Sequence, residues 1–174
     1  MNYATIKKND IANGPGVRTS LFVSGCNHHC QHCFNQVAWD FNYGDPFTRE
    51  VEDDIVESLR PAYITGLTLL GGEPLEHVNQ QGLLPLVQRV RREFPDKTIW
   101  CYTGFTFDTD VVGRMMKEYE ETAPLLACLD VIVDGKFVQD LYDITLKFRG
   151  SSNQRIIMVQ ESLQRGEIVL WPEA

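Results

Sequence analysis

The sequence predicts an α/β fold in which about six parallel strands form an open or partial (β/α) barrel. Three observations lead there. Short apolar runs alternate with longer amphipathic ones, each short run passes into a glycine-containing turn, and the chain of 174 residues is too short for a closed eight-stranded barrel. Such a barrel usually takes about 200 residues or more. Alternating strands and helices imply right-handed βαβ units. No repeat, low-complexity segment or linker divides the chain, so residues 1–174 are expected to form a single domain.

Leu21-Phe22-Val23 reads as the first buried strand, Leu67-Thr68-Leu69-Leu70 as the second, Ile99-Trp100-Cys101-Tyr102 as the third and Leu129-Asp130-Val131-Ile132-Val133 as the fourth. Between the first two, Val51, Ile55 and Leu59 share one helix face while Glu52, Asp53 and Glu57 mark the other. Leu83, Val87, Val90 and Phe94 repeat that spacing after the second strand, and Val112, Met115, Met116 and Tyr119 give a weaker third helix. Ligand sites in such sheets lie at the C-terminal strand ends. The conspicuous motifs fall there: Gly25-Cys26, Gly71-Gly72-Glu73-Pro74, Thr103-Gly104 and Asp134-Gly135-Lys136 follow the four strands in turn.

Sixteen basic and 24 acidic side chains give a formal charge of −8, and no cluster of Lys and Arg interrupts that balance. A nucleic-acid-coating role is therefore not expected, because phosphate neutralisation needs clustered cations. No apolar run approaches the roughly 20 residues of a membrane span, and the first ten residues lack a signal peptide's apolar stretch. The expected location is the cytoplasm.

Three of the five cysteines lie in Cys26-Asn27-His28-His29-Cys30-Gln31-His32-Cys33. An odd total with three packed together does not suit a disulfide framework. The cluster points to metal. Three thiolates on one tight loop can hold three irons of a cubane and leave the fourth open; with His28, His29 or His32 as a fourth ligand they can instead close a zinc tetrahedron. The residues alone leave these two readings evenly matched. Cys101 and Cys128 sit in apolar contexts and read as small core hydrophobes. His77 reads as a loop histidine, and Arg18 as either a site contact or a structural ion pair.

Cys-x-x-x-Cys-x-x-Cys resembles the cluster motif of the radical S-adenosylmethionine (SAM) enzymes, and Gly71-Gly72-Glu73-Pro74 resembles that family's second motif. The longer run Gly14-Pro15-Gly16-Val17-Arg18, Phe22, Gly25-Cys26, Cys30, Cys33 and Asn35 is similar to the signature of the glycyl-radical-enzyme activases. Asp134-Gly135-Lys136 resembles their Asp-x-Lys element. The runs Val133 to Leu141 and Phe148 to Arg155 are similar to the branch that activates anaerobic ribonucleoside-triphosphate reductase. Two departures stand out. His32 occupies a position where the wider family carries a carbocyclic aromatic against adenine, and Tyr102-Thr103 follows the third strand where other activases offer an acidic side chain.

This resemblance implies a radical SAM fold and one [4Fe-4S] cluster on Cys26, Cys30 and Cys33, the residues that carry the catalysis, with SAM chelating the free iron. His32, Cys33 and Phe34 would flank the cofactor. Gly71 and Gly72, lacking Cβ, would approach the methionine moiety closely, Gly72 foremost. Glu73 would bond its ammonium and Lys136, beside Asp134, its carboxylate. The implied reaction is reductive cleavage of SAM and hydrogen abstraction from a glycine near the C-terminus of the reductase, with a flavodoxin-like protein as electron donor. Taken singly, Gly-Gly-Glu-Pro is an ordinary turn and Asp134 with Lys136 a surface ion pair; the cysteine motif is what joins them. The rival readings are an activase of pyruvate formate-lyase or another glycyl radical enzyme and, in a different class, a zinc-binding interaction module.

Overall fold

The computed structural model of the chain describes residues 1–172. Seven strands form one sheet in the order β3-β1-β2-β4-β5-β6-β7. They are β1 (Asn2–Asp10), β2 (Val17–Val23), β3 (Asp45–Pro46), β4 (Ile64–Gly71), β5 (Thr98–Tyr102), β6 (Val131–Asp134) and β7 (Arg155–Met158). The central four, β2, β4, β5 and β6, run parallel. Both flanks are antiparallel, with β3 and β1 on one side and β7 on the other.

The expected six parallel strands are thus four, and connection length explains the difference. Only Ile11 to Gly16 separate β1 from β2, too few for a parallel crossover, which takes a dozen residues or more. The polar run Asn2–Asp10, with little buried surface, also lacks the apolar signature of a central strand. On the other edge, the segment after β6 contains only the short turn Gln139–Leu141 before β7 folds back beside β6. The fourth strand starts at Val131 rather than Leu129 because Asp130 is otherwise engaged: its carboxylate accepts from the Ile99 N–H at 2.7 Å and from Arg91 at 2.6 Å.

Between the parallel strands lie α1 (Arg49–Ser58), α2 (His77–Glu93) and, after β5, a π-helical segment Phe107–Met115 that runs through α3 (Met116–Glu118) to α4 (Thr122–Cys128). A final helix, α5 (Val159–Arg165), follows β7. Thr48 caps α1 by accepting from the Val51 N–H, and Glu50 and Glu52 complement the positive end of its dipole. His77 is the first residue of α2 rather than a loop histidine; it stacks on Tyr119 and bonds Glu121 at 2.9 Å. The expected third helix is present but π-wound over Val112 and Met115, and Tyr119 lies just past its end.

Strand alternation divides the sheet's two faces cleanly. Leu21, Val23, Leu67, Leu69, Ile99, Cys101 and Ile132 point to the helix side and pack with Ile55, Leu83, Val87, Val111 and Leu126 in the main core. On the opposite face the register aligns Arg18 with Gly66, Ser20 with Thr68, Phe22 with Leu70, and Thr68 with Trp100. That second face carries a smaller cluster of Trp100, Val131, Val133 and Ile156.

Arg18 anchors the lower end of this face. It is fully buried, and its donors meet five acceptors: Thr68 Oγ1 (2.8 Å), the Pro15 carbonyl (3.2 Å), Thr98 Oγ1 (2.9 Å), the Leu67 carbonyl (2.9 Å) and the Thr98 carbonyl (3.0 Å). A guanidinium has five N–H groups, so all are used. Its Cζ lies 5.8 Å from the centroid of the Trp100 ring. Burial pulls its pKa down to about 10, which still leaves it charged at neutral pH. Among the described residues Arg18 is therefore neither an ion-pair partner nor a site contact; it ties β2, β4, β5 and the Gly14-Pro15-Gly16 turn together. Arg18→Lys is expected to destabilise the fold by about 3 kcal/mol, because an ammonium has three donors for five buried acceptors. Urea denaturation of the anaerobically purified proteins checks this; an unchanged midpoint would contradict it.

Candidate iron-sulfur and cofactor site

A cavity of about 530 Å³ opens at the C-terminal ends of the parallel strands. This lies within the roughly 300–1,000 Å³ typical of small-molecule sites. The loop after β2 forms one wall. Its ends are fixed by the Gly25 N–H on the Ala38 carbonyl (2.7 Å) and the Cys26 N–H on the Trp39 carbonyl (3.2 Å). Between them the chain turns tightly, with the Cys33 N–H on the Cys30 carbonyl at 3.2 Å. Cys26 is buried, Cys30 and Cys33 are half-buried, all three are free thiols, and all three line the cavity. Burial pushes the Cys26 thiol up to about 11. Burial and then the neighbouring Cys33 raise Cys30, against the positive charge of Lys136.

Two of the three histidines that could close a zinc tetrahedron are otherwise engaged. His28 is bonded to Glu73, and His29 lies flat on Trp39 with centroids 4.4 Å apart. His32 is exposed, with a φ of 61°. Among the described residues no three His, Cys, Asp or Glu side chains gather around a single metal position.

The turn after β4 forms the floor. Gly71, at φ 109°, ends the strand, and Gly72 passes so close to the cysteine loop that a Cβ there would sit 2.6 Å from the Gly25 carbonyl oxygen and 2.9 Å from that of Ala38. Its N–H donates to the Val23 carbonyl at 2.8 Å. Glu73, 1% exposed, is the hub of the site. One oxygen accepts from the Leu75 N–H (2.9 Å) and Thr103 Oγ1 (2.8 Å); the other accepts from the Gly104 N–H (2.7 Å) and meets His28 Nε2 at 2.7 Å. Its lone pairs are thus occupied by the protein, although the sequence suggested the SAM ammonium as its partner.

The sequence-selected residues after β6 are placed differently. Asp134 is buried, and its carboxylate accepts from Arg155 Nε (3.1 Å), Arg155 Nη2 (2.6 Å) and the Phe107 N–H (2.7 Å). Arg155, held further by Asp108, has its pKa pushed up by these bonds. Lys136 is exposed, and the cavity wall is formed by Gly135 between the two. Phe34 is 81% exposed at the rim and packs against Phe137 with centroids 5.3 Å apart. Cavity residues not singled out for the site from the sequence include Asn13, Tyr102, Phe137, Arg149 and Gln154. The alternation that buries Trp100 could have pointed to Tyr102 two residues on, whose hydroxyl is buried with no partner among the described residues. Cys101 and Cys128 belong to the core as expected.

The model of the 4Fe-4S single cluster domain family matches residues 12–157. The anaerobic ribonucleoside-triphosphate reductase-activating protein of Escherichia coli K12 is 46% identical over 156 residues, covering 88% of this chain and 96% of that protein. The protein of the same name from Haemophilus influenzae is 45% identical over 159 residues, covering 90% and 97%, and that of enterobacteria phage T4 is 40% identical over 156 residues, covering 90% and 93%. An iron-sulfur cofactor therefore replaces the zinc reading, and these relatives separate the chain from activases of other glycyl radical enzymes. The chain belongs to the 4Fe-4S single cluster domain family and, within it, to the anaerobic ribonucleoside-triphosphate reductase-activating proteins.

Proposed function

We propose that this protein is the radical SAM activase of an anaerobic ribonucleoside-triphosphate reductase, acting as one domain over residues 1–174. The observation that carries the reading is the set of three free thiols on one loop, facing a cavity at the C-terminal strand ends. When bound, a [4Fe-4S] cluster supplies the single electron that splits the sulfonium of SAM into methionine and a 5′-deoxyadenosyl radical, which takes a hydrogen atom from a glycine Cα of the reductase.

Cys26, Cys30 and Cys33 would hold the cluster as thiolates. Burial disfavours the free anion at Cys26 and Cys30, so iron would supply the charge that deprotonates them. Gly71 and Gly72 would meet the methionine end of SAM, through the Gly72 carbonyl, since its N–H is committed to Val23. Phe34 and His32 would flank the adenine side, and Lys136 the carboxylate. Glu73 and Asp134 would act from behind, by fixing Gly104 and β7. A sheet covered by helices on one face and open on the other fits a partial barrel of the radical SAM type, because a glycine loop of a large protein has to enter. A flavodoxin-like protein would supply the electron. The expected location is cytoplasmic; no helix among the described residues is long and apolar enough to cross a membrane.

Anaerobic incubation with the reductase, SAM and reductant is expected to yield a glycyl radical signal by electron paramagnetic resonance (EPR), whereas pyruvate formate-lyase as partner gives none. The reverse pattern would sink the assignment. Cys30→Ala is expected to lose the brown chromophore and SAM cleavage together; a preparation with a full complement of iron that makes 5′-deoxyadenosine as well as the parent does would remove Cys30 from the ligand set. Gly72→Ala is expected to weaken SAM binding about ten-fold or more, since crowding a close contact costs about 1–3 kcal/mol. Equilibrium binding to the reconstituted protein reads this out.

A further inference from the structure

The segment between β6 and β7 turns its polar groups inward and its apolar side chains outward. Val138, Leu141, Tyr142 and Ile144 fall within residues 138–144 and all are exposed, Ile144 by 83% and Tyr142 by 45%. Elsewhere among the described residues, exposed apolar side chains such as Ile11, Tyr63 and Leu170 stand singly, which is ordinary for a protein surface. Tyr142 joins the group to the cavity. Its ring centroid lies 6.1 Å from that of Phe137 and 6.5 Å from that of Phe34, and both of those rings line the cavity, as do Leu146 and Phe148 further along the same segment. An apolar rim thus continues from the cavity mouth onto the outer side of the segment.

The rim is held in shape before any partner arrives. Ser151, fully buried, pairs with Tyr142 in an antiparallel bridge and its hydroxyl accepts from the Val138 N–H at 3.2 Å. The Gln154 side chain accepts from the N–H groups of Gly150 (2.8 Å) and Ser151 (3.1 Å) and donates to the Gly135 carbonyl (3.0 Å). At the tip, the Asp143 carboxylate accepts from the Thr145 N–H (2.9 Å) and Thr145 Oγ1 (2.6 Å), closing a local turn that leaves Ile144 facing water. A surface whose backbone is already ordered loses less entropy on association than a slack loop does.

We propose that this rim is the docking surface for the reductase, and that Leu141, Tyr142 and Ile144 receive apolar side chains flanking its reactive glycine. This rests on the reading of the protein as that reductase's activase. Hydrogen transfer needs the glycine Cα within about 3–3.5 Å of its acceptor, and an extended chain advances at most about 3.3–3.6 Å per residue. Residues a few positions from the glycine must therefore cross the mouth of the cavity, where the rim begins. A contiguous apolar surface beside a reaction site suits a protein partner. With a formal charge of −8 and no cluster of Lys and Arg, the chain offers an anionic lipid surface no comparable hold.

Leu141→Ser/Ile144→Ser in the full chain tests the rim, since neither residue lines the cavity. Tyr63→Ser removes a similarly exposed side chain just before β4, at the opposite end of the parallel strands, and serves as the control. Two quantities are measured anaerobically on reconstituted protein: equilibrium binding to the reductase, and 5′-deoxyadenosine formed with dithionite and SAM when the reductase is absent. The double variant is expected to bind the reductase about ten-fold more weakly or worse, the scale of losing an apolar anchor, and to cleave SAM as the parent does. Tyr63→Ser is expected to match the parent in both. Parental affinity in the double variant overturns the proposal, as does a loss of affinity that comes with an equal loss of SAM cleavage. So does parental reductase affinity accompanied by weaker binding to lipid vesicles or weaker self-association, which would give the rim to a membrane or to a second copy. Should the double variant fail to fold, Ile144→Ser alone decides: weaker binding supports the rim, and unchanged binding overturns it. A parent that neither binds the reductase nor yields its glycyl radical defeats the activase reading itself, a result distinct from an active parent indifferent to Leu141 and Ile144.

Discussion

The carboxylate of Glu73 is the constraint on which the site depends. It sits at the start of a turn, almost without solvent, and an ionised group in such a place is tolerated only when its lone pairs are filled. Four donors fill them, and they come from three separate stretches of chain: Leu75 in its own turn, Thr103 and Gly104 beyond β5, and His28 in the cysteine loop. No two of these stretches are neighbours in sequence, so one buried charge determines their mutual placement. The Asn79 side chain extends the same logic, bridging the Ser24 and Glu73 carbonyls at 3.0 and 2.9 Å. The loop that carries the thiols is thus fastened to the turn after β4 and the end of β5 by polar contacts, and its three thiols line the cavity.

Arg18 plays the matching part at the opposite end of the same strands. It too is a buried charge with every group satisfied, and among the described residues no carboxylate bonds it; carbonyls, hydroxyls and the face of Trp100 share the positive charge. Thr68 passes the connection on by donating to the Asn13 carbonyl at 2.7 Å. The open face of the sheet is therefore pinned below by a cation and above by an anion, and the cavity opens at the anion's end. A closed barrel would not need such fasteners, because its strands would complete one another all the way round.

Much of this was legible in the chain. Leu21 to Val23, Leu67 to Leu70 and Ile99 to Tyr102 are apolar enough to announce buried parallel strands, and the Gly-rich motifs at their ends fall where the cavity is. The antiparallel flanks were not legible, for a physical reason: β1 is an edge-side strand of mixed polarity, and β7 consists of four residues after a long irregular loop. The cysteine loop drew attention by its spacing, yet residue type alone could not tell which histidine is sequestered. His28, His29 and His32 look equivalent in sequence; only the approach of Gly104 and Glu73 separates the first from the other two.

Asp134 shows why a motif can be located correctly while its partners are not. At the end of β6 it occupies the position where a ligand contact was expected, but β7 returns antiparallel and sets Asp134 directly opposite Arg155 in the register. A buried carboxylate facing a guanidinium across a strand pair forms a charge-assisted pair, and the Phe107 N–H takes up remaining capacity. That pairing depends on the reversal of β7, which the chain betrays only through the length and turn content of residues 135–154. The direction of one short strand therefore decides what an acidic side chain does: with a parallel sixth strand Asp134 would have remained open to the cavity, whereas beside Arg155 it holds the edge of the sheet and leaves Gly135 to form the wall.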